Sequence, residues 1–357
     1  MPGFAFKAVV IGGGYATGRE LATFFMPSGP RGGLYGMLLC TAIWSVICSL
    51  TFLFALQTGS RDYRTFFRHL LGPLWPTFEI AYGLALIVML AVYSAAAGAI
   101  GEAMFDWPPL IGSLVLMAAI AGIAVWGNEN VERLFKYVTF ILYGTYMLLA
   151  VLVFSRFGDR IADALGADLA STGWFAGGVT YAGYNIIGAV LVLPVVRHLT
   201  SRRDALIAGM IAGPMAMIPA MLFFICLITF YPAIAGEALP SDYLLRKLDI
   251  PALRALFELM IFAALLESAT GGIHAINERI AQSYREVRGR NLPAVVRLGA
   301  SCAILALSVF VAGRFGLVEL IASGYRWLSL VILAIYVLPL LTVGLWSILR
   351  HAHEPAR

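Results

Sequence analysis

Two nine-residue stretches concentrate polar groups and backbone freedom in an otherwise apolar chain: Gly12-Gly13-Gly14-Tyr15-Ala16-Thr17-Gly18-Arg19-Glu20 and Gly177-Gly178-Val179-Thr180-Tyr181-Ala182-Gly183-Tyr184-Asn185. Glycines let a helix unwind, and an unwound helix frees amide and carbonyl groups that only a protein-lined or wet cavity can satisfy at membrane depth. Gly13, Gly14 and Gly183 are the positions where backbone groups can come free. Tyr15, Thr17, Tyr181, Tyr184 and Asn185 add ring faces, hydroxyls and an amide able to surround a small polar or zwitterionic molecule. Arg19 can hold a carboxylate of that molecule, or pair with Glu20 or Glu267 as a gate or structural ion pair. Close helix packing through small residues competes as an explanation of the glycines alone.

A further polar set, Glu267, Ser268, Thr270, Gly271, His274 and Asn277, interrupts another apolar stretch. Helical spacing groups Glu267, Gly271, His274 and Glu278 on one face. Glu267 or His274 could carry a proton, assisted by Arg19, Glu20 or Asn277, because a neutral acid or imidazole lowers the cost of burial. The same residues make a poor enzyme. Ser268 and His274 lie too far apart on a helix for direct proton transfer, and nothing supplies an oxyanion hole. The remaining histidines are scattered, no zincin spacing occurs, and no metal site is assigned. Apart from sodium ions or protons as a coupling ion, no cofactor is expected.

The elements that must position these groups follow from composition. Of 357 residues, 61% are hydrophobic and 13% charged, and the mean hydropathy is +0.86, which sets the chain outside the soluble range. Apolar segments of about twenty residues can cross a bilayer, and ten are found at 6–26, 34–57, 72–103, 108–126, 131–154, 173–196, 204–231, 253–284, 293–313 and 322–349. The expectation is therefore an all-α integral membrane protein of ten transmembrane helices, forming one domain over 1–357. The first segment keeps Arg19 and Glu20 in its outer half and lacks a small-residue cleavage site, so it is read as a retained span rather than a leader.

With the N-terminus inside, sixteen basic residues fall in inner connections and seven in outer ones. By the positive-inside rule both termini are cytoplasmic, in the cell inner membrane. The net charge of +5 is divided among short connections, which argues against a nucleic-acid surface. Between spans, Arg61 to Leu71 and Ser155 to Ser171 read as short amphipathic helices, and Tyr231 to Pro251 reads as an outer cover. Cys40, Cys48, Cys226 and Cys302 all fall in apolar stretches and read as small buried hydrophobes.

The two glycine-rich stretches open the first and the sixth segment. The chain then divides into a repeat over 6–154 and a second, inverted repeat over 173–349, with helices 1 and 6 discontinuous and a site between them. In these features the chain resembles the amino acid, polyamine and organocation transporter superfamily with the LeuT-like fold, and specifically its uncharacterised YkvI-like membrane proteins. The resemblance rests on Gly12 to Glu20, on Tyr181 to Asn185 and on the ten-segment layout, and it covers essentially the whole chain. It implies a scaffold of spans three, four, eight and nine, a moving bundle of one, two, six and seven, and a central site at the two breaks. It also implies a coupling cation held by carbonyls near Gly12 to Tyr15 and the hydroxyls of Ser268 or Thr270.

The function expected is secondary active symport, driven by sodium ions or protons, of a small polar metabolite such as an amino acid or organic amine. An ion channel, or a receptor that binds a small ligand without accumulating it, is the alternative. Expected partners are that small molecule and membrane lipid, not nucleic acid; the sequence assigns no oligomeric state.

Overall fold

The computed structural model describes residues 2–10, 13–126, 129–167, 169 and 171–352. Gly12, expected to lend a carbonyl to the coupling ion, lies outside the described residues.

The described residues are helical almost throughout. The first apolar segment is split into α1 (Pro2–Val10), α2 (Gly13–Ala16) and α3 (Arg19–Phe24). It is followed by α4 (Gly29–Thr58), α5 (Tyr63–Leu71), α6 (Pro76–Phe105), α7 (Pro109–Trp126) and α8 (Glu129–Gly166). The second half opens on another split segment, α9 (Trp174–Asn185), α10 (Gly188–Leu191) and α11 (Leu193–Val196). Then come α12 (Arg202–Leu227), α13 (Pro240–Leu248), α14 (Pro251–Arg288), α15 (Ala294–Glu319), α16 (Tyr325–Ile332) and α17 (Leu345–Ala352). Three π-helical turns, Leu320–Gly324, Leu333–Val337 and Leu340–Gly344, join the last three.

Local chemistry sets the ends. Proline falls in the first turn of α4, α6, α13 and α14, where its missing N–H costs nothing. The Asp62 carboxylate accepts from the Thr65 amide at 2.9 Å and caps α5, the helix expected over 61–71. Ser201 caps α12 in the same way. Gly59 and Gly289, both at positive φ, stop α4 and α14. The stretch expected as a separate helix over 155–171 instead continues α8 to Gly166, with one non-helical residue at Phe157.

Among the described residues, six helical stretches are long and apolar enough to cross a membrane: Arg19–Thr58, Pro76–Phe105, Phe140–Gly166, Arg202–Phe230, Pro251–Arg285 and Val295–Arg350. The last is 56 residues long and contains Gly316 at φ 74°, a break in mid-course. Much of what these stretches bury is buried against one another, in a single large apolar cluster that runs from Phe6 to Ile348. Cys302 departs from the expectation for the cysteines. It is exposed on α15, while Cys40, Cys48 and Cys226 are buried; in a lipid-facing helix an apolar thiol has no need to turn inward.

Two contacts matter most for the site. α4 lies along α12, and Gly209 and Gly213 bring the two so close that an added Cβ would collide with the backbone of Ser49 or Thr41. α4 also lies against α9, so the second half of the chain is held to the first through this helix.

Candidate functional site

The first break is built around Gly18. Its φ of 75° is open to glycine at little cost and turns the chain between α2 and α3. The freed carbonyls find partners from elsewhere in the fold. The Tyr146 hydroxyl of α8 donates to the Ala16 carbonyl at 2.8 Å, and the Ser241 amide donates to the Thr17 carbonyl at 3.1 Å. Thr17 Oγ1 accepts from the Arg19 amide at 3.2 Å, capping α3 from one residue upstream.

Arg19 pairs with no acid among the described residues. Its guanidinium donates to the carbonyls of Ala235, at 2.9 Å, and Glu237, at 2.7 Å, and to Thr23 Oγ1 at 3.0 Å. Both carbonyls belong to the 231–251 connection, which therefore closes over the first break from one side of the molecule. Glu20 turns the other way. It is buried, and its Oε2 accepts from the Tyr184 hydroxyl at 2.5 Å, joining the first split segment to the second.

The second break follows Asn185, whose side-chain amide donates to the Tyr181 carbonyl at 3.2 Å. Trp44 of α4 donates its indole N–H to the Ala182 carbonyl at 3.2 Å. Tyr181 is wholly buried among Phe25, Trp44 and Phe24, and its hydroxyl has no hydrogen-bond partner among the described residues. Tyr184 stacks on Tyr325 of α16, with ring centroids 4.4 Å apart. Gly183 faces Ser329 on the same helix, so closely that a side chain there would displace it.

Between these breaks and α14 lies a cavity of about 420 Å³. Tyr184 and Asn185 reach it from α9, Glu267, Ser268, Gly271 and Gly272 from α14, and Tyr82, Met89 and Tyr93 from α6. Tyr143 of α8 and Val9 of α1 also face it, and aliphatic side chains make up the rest of the wall. The Tyr93 side chain hydrogen-bonds Ser268. The lining is thus apolar with phenols, one amide, one hydroxyl and one carboxyl group converging on it, the composition of a small-molecule site.

The other candidates take different places. Tyr15 is buried against the rings of Tyr146 and Phe223 and lines a smaller apolar cavity between α8 and α12 instead. Gly13 and Gly14 begin α2, next to α6 and α14. The polar stripe of α14 divides. Glu267 and Ser268 face the large cavity, whereas Thr270 donates to its own Leu266 carbonyl at 2.7 Å. His274 is exposed outside the lining, and Asn277 is buried with its amide on Ser301 Oγ of α15 at 2.8 Å. The short helix α2, expected to lend carbonyls to a coupling ion, packs on α14, the helix that carries Ser268 and Thr270. Among the described residues no three of His, Cys, Asp and Glu gather as a metal site.

Sequence reasoning overlooked the groups at the far end of the cavity. There Arg279 of α14 lies 3.6 Å from the Tyr82 ring centroid and 4.2 Å from that of Tyr63. Glu79 of α6 accepts from Arg64 at 2.6 Å and pairs with Arg279 at 3.4 Å. Burial pushes the Tyr63 phenol up to about 12, so it stays a donor to Glu79 Oε1, at 2.8 Å. This cluster fastens α5 to α6 and α14. Only the folded chain shows two arginines meeting on Glu79.

Comparison with known proteins agrees with this architecture. No family profile matches the chain. The uncharacterized membrane protein YkvI of Bacillus subtilis (strain 168) is 21% identical over 335 residues, covering 93% of this chain and 92% of that protein. Among solved structures, MhsT in complex with L-phenylalanine superposes with a TM-score of 0.65 at 16% identity, over 98% of this chain and 96% of that one. The Eremococcus coleocola manganese transporter in complex with an aromatic bis-isothiourea substituted compound gives a TM-score of 0.57 at 14% identity, over 95% and 77%. The chain is thus an all-α, multi-pass membrane protein of LeuT-like fold, with discontinuous helices, related in sequence to a YkvI protein.

Proposed function

We propose that the protein is a secondary active transporter of a small polar organic solute, an amino acid or related amine, working by alternating access and coupled to sodium ions or protons. The observation that carries this reading is the cavity in which Tyr184 and Asn185, beside one helix break, meet Glu267 and Ser268 of α14. Phenol faces, an amide and a carboxyl group suit an ammonium-bearing molecule, and a volume of about 420 Å³ suits a small one. The likeness to an L-phenylalanine-bound structure and to a transporter supports the same class.

In this reading the chain crosses the cytoplasmic membrane ten times as two inverted five-span repeats, 6–154 and 173–349, with both termini inside. The two split segments then stand as discontinuous spans one and six. Arg19 and the 231–251 connection form the outer closure, and the Arg279 cluster lies at the cytoplasmic mouth. Ligand shifts the balance between closures by binding one state better than the other.

The test is uptake into proteoliposomes from a panel of labelled amino acids, amines and carboxylates, with sodium and proton gradients imposed separately. Accumulation of one solute above its outside concentration is expected, reduced at least tenfold by Asn185→Ala or Glu267→Gln. Ohmic, non-saturating ion current without solute accumulation would sink the proposal in favour of a channel.

A further inference from the structure

Glu258 lies two turns into α14, only 1% exposed, and neither carboxyl oxygen has a hydrogen-bond partner among the described residues. Few positions in a folded chain are so costly for a charge. The cation one turn away is already engaged. Arg254, one turn back on α14, already donates to Asp242 Oδ1 at 2.6 Å and to the Ala103 carbonyl at 2.7 Å. Asp242 on α13 is itself shared between Arg254 and Arg246 and offers only repulsion.

The other titratable groups around it are phenols already engaged or charges at the surface. Tyr146 of α8, beside Glu258 and packed on Phe257, spends its hydroxyl on the Ala16 carbonyl. Tyr15 of α2 is buried beyond it against the same ring, and Tyr93 of α6 is hydrogen-bonded to Ser268. Glu102 of α6 and Arg314 of α15 are exposed. α7 brings no titratable group.

The position of Glu258 connects it to the moving parts. α14 packs directly on α2, the short helix that ends at the first break. Ser241, whose amide holds the Thr17 carbonyl, also keeps a buried hydroxyl without a partner. The Ala16–Thr17 turn is thus held on one side by Ser241 and on the other by Tyr146, the neighbour of Glu258, under the cover that Arg19 pins down.

We propose that Glu258 is the site of the coupling proton, loaded when the cover over the first break opens and required for that cover to close. This deepens the transport reading above and rests on it. With the cover lifted, solvent reaches the carboxylate, which takes one proton from hydronium, releasing water, and becomes neutral. Among the described residues the closed arrangement gives the carboxylate no hydrogen bond and only a cation already shared with Asp242, so closure and protonation occur together.

Two measurements test this. Infrared spectra of the lipid-reconstituted protein at neutral pH should show a protonated-carboxyl stretch that shifts in D2O, is lost in Glu258→Gln and survives in Glu20→Gln. A spectrum unchanged by Glu258→Gln overturns the assignment without any reference to transport. In proteoliposomes, with a mixture of labelled amino acids as probe, the wild type should accumulate label under an imposed pH gradient. Glu258→Gln should still exchange labelled for unlabelled amino acid, which shows that it is folded, yet accumulate none above the no-gradient level; Glu258→Asp should regain part of the accumulation. Wild-type accumulation by Glu258→Gln, or accumulation driven by sodium and indifferent to pH, overturns the proposal. No uptake by the wild type under any gradient removes the transport reading and the coupling role with it, and the infrared result then stands alone as evidence of a proton on Glu258.

Discussion

The Tyr184 hydroxyl donates to Glu20 Oε2 across the interface of the two split segments, at 2.5 Å and out of reach of solvent. One hydrogen bond thus joins residues 164 positions apart at the two places where helix is interrupted. Tyr184→Phe should leave the Glu20 carboxyl unpartnered and cost about 1–3 kcal/mol, read as a lower unfolding temperature in detergent. The same substitution in a Glu20→Gln background should cost less, because the group left stranded is no longer a carboxyl. Equal costs in the two backgrounds would show that the pair is not coupled.

Arg19 holds the 231–251 connection by two charged hydrogen bonds to carbonyls. Each such bond contributes about 1.5–3 kcal/mol, and about 1.4 kcal/mol is tenfold in a population. Arg19→Gln should therefore raise the alkylation rate of a buried reporter, Ser241→Cys, by about tenfold or more with a membrane-impermeant maleimide. Cys302, exposed in the native chain, is replaced by serine in that background. Unchanged labelling would mean that the cover is held by other contacts.

At the opposite end of the cavity, Arg279 lies over Tyr82 and Tyr63 and pairs with Glu79. A cation over an aromatic face contributes about 0.5–2 kcal/mol. Arg279→Gln should loosen α5 from α14 and speed labelling of Ala275→Cys in the cavity wall several-fold. Arg279→Lys should restore the charge without the flat contact on two rings, giving an intermediate rate.

Two glycines should behave oppositely on substitution by alanine. A Cβ at Gly177 would collide with the Phe24 carbonyl oxygen, backbone that cannot step aside, so Gly177→Ala should cost about 1–3 kcal/mol. A Cβ at Gly271 meets nothing within 4 Å and enters the large cavity. Gly271→Ala should leave the unfolding temperature unchanged while shifting KM for solute; a KM equal to wild type would place the solute elsewhere.

The helical class and the two interruptions were legible because glycine clusters and hydropathy are local signals. Tyr184, Asn185, Glu267 and Ser268 could be nominated from the same signals, and they line one cavity. Tyr15 and Tyr181 carry an equal signal yet pack into aromatic clusters. A phenol looks the same in sequence whether its hydroxyl meets a solute or its ring fills a core. Arg19 illustrates a second limit. Its partners are carbonyls over two hundred positions away, and a carbonyl has no residue type to recognise. For Glu258 a carboxylate in an apolar stretch is visible, but the isolation of both its oxygens exists only in the folded chain.

The glycine seam between α4 and α12 has a mechanical consequence. Where backbones touch at Gly209 and Gly213, with no intervening side chains to repack, the two helices have no room to slide or roll. They act as one stiff plank. The pair spans some forty-five ångströms of helix from the Arg19 end to the α5 end, about 1.5 Å for each of the thirty residues of α4. In the transport reading proposed above, a lever of that length would couple the two closures, opening one face as the other shuts.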